Sequence, residues 1–181
     1  FINLIFSIKY LSRVTNFAVP ISMLITSFYF LIVKYQDKLK NFGKQQKHIN
    51  IVGFIVLFIT SNFIFQKVPV ETLNVDRWSV ITSFWDNYFA GEYVYFALSH
   101  MNNYPGPMPF YYVVALPFYL LGELGYLSII GLLVFIILLK VLRKSLSTQT
   151  AYFIIIATSP FFLWEIVARS NIFFNSTLIL I

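Results

Sequence analysis

The chain has 181 residues, of which 59% are hydrophobic and only 11% charged, and its mean hydropathy is +0.76. So few charges cannot clothe a water-facing globule, whose charged fraction is about 25%, and the composition predicts an all-α, polytopic transmembrane protein. The absence of cysteine excludes disulfides, thiolate metal sites and cysteine nucleophiles. The net charge of +6 does not point to nucleic acid, because the lysines cluster beside apolar runs, where orientation and anionic lipid account for them.

In chain order, apolar runs fall at residues 14–34, 50–66, 108–122, 125–142 and 150–168, with another opening at 171. In lipid each must be helical, since an unpaired backbone amide costs several kcal/mol there. Between the first two lies "KYQDKLKNFGKQQKH", which the positive-inside tendency places in the cytoplasm, as it does "KVLRKS" at 140–145. Those anchors put everything between them on the outer side. The run "PMPFYYVVALPFYLLG" at 107–122 then has no room to be a span. As a helix it reaches only about 22 Å against a ~30 Å core, and it is expected to be re-entrant or interfacial. The competing arrangement is a short span kinked at Pro117.

The chain opens on Phe1 and stops within "IFFNSTLILI", so it reads as the N-terminal piece of a longer protein, inactive by itself. Lys9 and Arg13 fall on the outer side of this topology, which implies either a missing upstream segment or a native start near Met23. The whole of 1–181 reads as one membrane-embedded domain with an external loop over residues 67–107.

Of the seven acids in the chain, Glu71, Asp76, Asp86, Glu92 and Glu123 lie between Lys67 and Leu124, which makes the outer segment the chemical end. After Asp76, apolar residues recur at Trp78, Ile81, Trp85 and Tyr88 or Phe89, the spacing of one helical face. Trp and Tyr favour the headgroup level, so this helix is expected to lie on the outer membrane surface and to end at Gly91. Asp76 stands at its start, either as a cap that accepts first-turn amide hydrogens or as a general base facing a lipid-linked phosphate.

The stretch from Asp76 to Gly122 carries "DRW", "GEY", "YPGPMPFYY" and "LLG" in that order. It resembles the first external loop of the GT-C type glycosyltransferases that use polyprenyl-phosphate sugars, including bacterial aminoarabinose transferases and protein O-mannosyltransferases. In that family an acid follows the first helix, then come a Gly-acid-aromatic step and a Pro-rich turn opening an aromatic helix that ends in Gly. "SPFFLWEIVARSNIFFNSTL" is similar, more loosely, to a later helix pair of the same family. The resemblance implies sugar transfer from a polyprenyl-phosphate donor to an acceptor hydroxyl on a lipid, glycan or protein, at the outer face of the bacterial plasma membrane. It assigns the role of base to Asp76.

The chain departs from the family pattern in two places. Arg77 follows Asp76 where many relatives have a second acid, and Gly106 stands where the aminoarabinose enzymes place a phosphate-holding lysine. Contacts to the phosphate then fall to Arg77, His100 or Arg169, whose charge would meet that of the leaving group.

Asp86 and Glu92 are candidates for binding the acceptor; the plainer alternative for each is a solvated acid on a polar helix face. His100 and Tyr104 sit at the expected mouth of the pocket. One histidine does not make a metal site, so no metal ligands and no cofactor are assigned. A divalent cation held by carboxylates such as Asp76 and Asp86 is the alternative. Glu165 and Arg169, four residues apart, are expected to pair on one helix face, either lining the donor cavity or as a structural ion pair. The rival readings of the chain are a polytopic transporter or channel component, in which Glu165 and Arg169 line a path, and a non-catalytic membrane scaffold.

Overall fold

The computed structural model describes residues 2–12, 15–39, 45–72, 75–106 and 109–179. Arg13, the start of the first apolar run at Val14, the lysines at 40 and 44, and Pro107 with Met108 of the Pro-rich turn lie outside the described residues. Among those described, the chain is all-α. Helices α1 (Ile2–Leu11), α2 (Ala18–Lys34), α3 (Gln36–Leu39), α4 (Gln46–Lys67) and α5 (Arg77–Ala90) are followed by α6 (Pro109–Leu120), α7 (Tyr126–Val141), α8 (Leu146–Ala157), α9 (Pro160–Val167) and α10 (Ile172–Ile179).

Among the described residues one helix, α4, is long and apolar enough to cross a membrane. Its 22 residues extend about 33 Å at 1.5 Å per residue. The expected run at 150–168 is instead broken into α8 and α9, bent by 61°. Pro160 explains the break: it has no amide hydrogen to continue α8, while its fixed φ suits the first position of a new helix. Within the run from 14, α2 spans Ala18–Lys34.

The chain resolves into two compact units, one of Phe1–Phe58 with Leu132–Trp164 and the other of Ile59–Gly131 with Glu165–Leu180. In the first, α1 packs on α2. Tyr10 stacks on Trp164 at 4.1 Å, and Asn3 accepts the amide of Phe161 at 3.3 Å, supplying a partner for the start of α9. Along α2, Leu24, Phe28 and Phe30 are exposed.

The second unit is organised around α5 and α6. Ile81, Phe84 and Trp85 of α5 are buried against Tyr111, Tyr112 and Ala115 of α6. The Phe84 and Tyr112 rings stack at 3.8 Å, and the Trp85 indole donates to the Tyr112 carbonyl at 3.1 Å. Thus much of the apolar face expected to meet the membrane surface packs on the next helix, and Tyr88 and Phe89 remain exposed. Gly131 of α7 comes so close to α10 that a Cβ there would lie 2.9 Å from Phe174 Cα.

Candidate active site

Helix α5 ends where its glycine predicts. Gly91 adopts a left-handed φ of 75°, which costs glycine nothing, and the amides of Gly91 and Glu92 turn back onto the carbonyls of Tyr88 and Asn87. At the other end, Asp76 occupies the capping position, but its side chain bonds to no first-turn amide. The capping expectation fails because the carboxylate is engaged elsewhere. Asp76 Oδ2 accepts Ser99 Oγ at 2.9 Å and Asn103 Nδ2 at 2.6 Å.

Those donors come from a tight loop. The Ser99 amide donates to the Asn103 carbonyl, Asn103 N donates to Ser99 Oγ at 3.1 Å, and Asn102 takes the left-handed conformation, φ 60°, that asparagine tolerates. Ser79 pins the loop to α5. Its hydroxyl donates to the Asp76 carbonyl at 2.9 Å, shares a hydrogen bond with His100 Nδ1 at 2.8 Å and accepts the His100 amide at 3.3 Å. Burial raises the Asp76 pKa, but the bonds from Asn103 and Ser99, its own backbone and the nearby His100 together outweigh it. They hold the group below its ordinary value of 3.8. Oδ1 carries neither of these bonds.

Beside Asp76 is a cavity of about 400 Å³, lined also by Arg77, Asn103, Tyr104 and Asn171. Arg77 Nη1 donates to Ser170 Oγ at 2.7 Å and lies 3.9 Å from Glu165 Oε1. The Arg77 side chain remains 43% exposed on this cavity. The buried Glu165 holds this wall in place: it accepts Ser170 Oγ and, at 2.6 Å, the Phe173 amide in the first turn of α10. A carboxylate suits a helix N-terminus, whose amides lack partners and whose dipole favours negative charge.

The expected Glu165–Arg169 pair does not form. Helix α9 stops at Val167, and Arg169 takes a left-handed φ of 48°, with its amide and that of Ser170 turned back onto Ile166 and Glu165 carbonyls. That turn sends its side chain away from Glu165. Arg169 instead lies 3.4 Å from Glu123 and donates to the carbonyls of Phe65, Val68 and Val167.

Other candidates are also distributed differently from expectation. His100 is exposed, and its ring stacks on Trp78 at 5.4 Å. Asp86 accepts the Tyr119 hydroxyl at 2.6 Å and lines a second cavity of about 430 Å³ with Trp78, Glu123 and Arg169. Asp76 and Asp86 therefore line different cavities. Among the described residues no group of three or more His, Asp or Glu side chains is placed to hold a metal ion. Glu92 is exposed and lines neither cavity. The residues that sequence reasoning missed are Ser79, Ser99 and Ser170, whose spacing carries no periodic signal.

No family model matches the chain, and neither a curated protein nor a solved structure matches it.

Proposed function

We propose that the chain belongs to a multi-pass membrane glycosyltransferase that moves a sugar from a polyprenyl-phosphate donor to an acceptor hydroxyl, with Asp76 as the base. The observation that carries this reading is the joint presence of Asp76 and a partly free Arg77 on one open cavity. Glycosyl transfer from a lipid phosphate needs two things there: a carboxylate to take the acceptor's proton as it attacks the anomeric carbon, and positive charge beside the departing phosphate. The attacking oxygen forms the new glycosidic bond as the bond to phosphate oxygen breaks, and the proton passes to Asp76.

A depressed pKa makes Asp76 a modest base, but it guarantees the ionised form that accepts a proton late in the attack. Ser99 and Asn103 act as positioning residues that hold Asp76 through Oδ2. Arg77 fills the phosphate role that Gly106 cannot, whereas Arg169 is committed to backbone carbonyls and Glu123. A membrane location is supported by the length of α4 and the exposed apolar residues of α2.

The test is sugar transfer from a radiolabelled polyprenyl-phosphate donor in membranes containing the protein. Asp76→Asn should abolish transfer while expression and membrane insertion persist. Transfer close to wild type in that variant would discard the assignment.

A further inference from the structure

We propose that the groove between α1 and α2 binds a phospholipid with a negatively charged head group, its acyl chain lying along the groove and its phosphate at Lys34 and Lys38. The groove has a volume of about 470 Å³ and is lined by Leu4 of α1 and by Met23, Thr26, Ser27, Phe30 and Leu31 of α2. None of these residues lines the cavity beside Asp76, so the site draws on the membrane reading and not on sugar transfer.

The five α2 residues recur every three or four positions, which makes them one stripe of the helix surface. Lys34 continues that stripe. At 100° per residue it lies within about 15° of the stripe's centre, one turn beyond Phe30 and Leu31. Tyr35 stops the helix there, and the amide of Lys38 turns back onto the Tyr35 carbonyl at 2.9 Å to begin α3. This turn brings a second lysine to the same end. Lys34 Nζ lies 5.8 Å from the centre of the Tyr35 ring, and Lys38 Nζ lies 4.9 Å from it. Both lysines and the ring are exposed, and among the described residues no ion pair engages either ammonium. Asp37, exposed in the same segment, leaves the local balance positive. Two like charges gathered at one ring repel, and an anion shared between them removes the repulsion. Tyrosine in this place also suits the head-group level of a bilayer.

The order of these features selects the occupant. An apolar groove with cations at one end matches an amphiphile whose tail is apolar and whose head is negative. Free phosphate answers the lysines and leaves the groove unfilled, whereas a neutral lipid does the reverse. A peptide brings backbone amides, for which the groove offers only the Thr26 and Ser27 hydroxyls. A second copy related by a two-fold axis along the membrane normal presents its own Lys34 and Lys38 at the same depth, like charge against like.

The test uses the full chain in a non-ionic detergent and follows bound lipid by native mass spectrometry. Phosphatidylglycerol and phosphatidylcholine with identical chains are titrated, beside glycerol 1-phosphate as a head alone and diacylglycerol as tails alone. Phosphatidylglycerol should bind saturably and at least about tenfold more tightly than the other three. Lys34→Gln and Lys38→Gln, both at exposed positions, should each weaken it about fivefold and leave phosphatidylcholine unchanged. Ser27→Phe, also exposed, places a ring in the groove and should weaken phosphatidylglycerol as well. Equal affinity for the two phospholipids, or undiminished phosphatidylglycerol binding in both lysine variants or in Ser27→Phe, would overturn the proposal. So would glycerol 1-phosphate binding as tightly as the lipid, or a dimer that excludes lipid and is dissolved by Ser27→Phe.

Discussion

Asn103 donates its side-chain amide to Asp76 Oδ2 at 2.6 Å from 27 residues farther along the chain. Together with Ser99, this bond keeps the carboxyl below 3.8 despite the opposing effect of burial. A depressed folded-state pKa means that ionised Asp76 contributes its stability in full above the unfolded value. That contribution is lost as pH falls below 3.8 through the lower folded value. In Asn103→Ala, burial is less opposed and the Asp76 midpoint moves upward. A carboxyl-carbon NMR titration should record that rise, and the acid limb of any transfer activity should move the same way. A midpoint no higher than wild type would contradict the arrangement.

Arg77 separates charge from stability. Its contact with Glu165 is 3.9 Å long and its side chain is 43% exposed, so solvent screens the pair. Arg77→Met should therefore change unfolding stability by less than about 1 kcal/mol. The same change removes positive charge from the cavity and should lower transfer roughly a hundredfold. Chemical denaturation in micelles beside a donor-transfer assay would distinguish the two effects.

Glu165 behaves in the opposite way because it is buried and bonded to both Ser170 and the first turn of α10. Glu165→Leu removes the carboxylate that accepts from the Phe173 amide and the Ser170 hydroxyl, with an expected loss of about 2–4 kcal/mol. Glu165→Gln can still accept one of those bonds and should lose less. Denaturation midpoints for the pair of variants check the order.

Two left-handed residues should respond differently to substitution. A Cβ at Gly91 would meet nothing within 4 Å, so Gly91→Ala carries only backbone strain, about 1 kcal/mol. Arg169→Gly relieves comparable strain but removes a buried guanidinium that serves three carbonyls and Glu123. It should be destabilised by at least about 2 kcal/mol, because charge-assisted bonds outweigh the relief. Thermal unfolding that showed Arg169→Gly to be stabilised would refute this balance.

At Gly131, the obstacle to a larger residue is backbone, since a Cβ would lie 2.9 Å from Phe174 Cα. Backbone cannot rotate aside as a side chain can, so Gly131→Ala must separate α7 from α10, at a cost of about 1–3 kcal/mol. Proteolysis within residues 172–179 should become faster in this variant.

What could be read from residue order alone was local. Apolar composition required helices, the spacing of Ile81 and Trp85 marked one apolar face of α5, and Gly91 and Gly122 stopped their helices because a left-handed turn suits glycine. The cluster of acids also pointed to the segment around Asp76. The break at Pro160 was written in the sequence too, but a long apolar run concealed it. Tertiary structure alone decided which charges meet. Glu165 and Arg169 have helical spacing, yet the helix ends between them, so Glu165 meets Arg77 and Arg169 meets Glu123. Asp76 found its donors in a loop rather than in its own helix, and Asp86 was turned to another cavity. Periodicity fixes the angle of a side chain about its own helix, whereas an ion pair or a cavity depends on where a second, sequence-distant segment comes to rest.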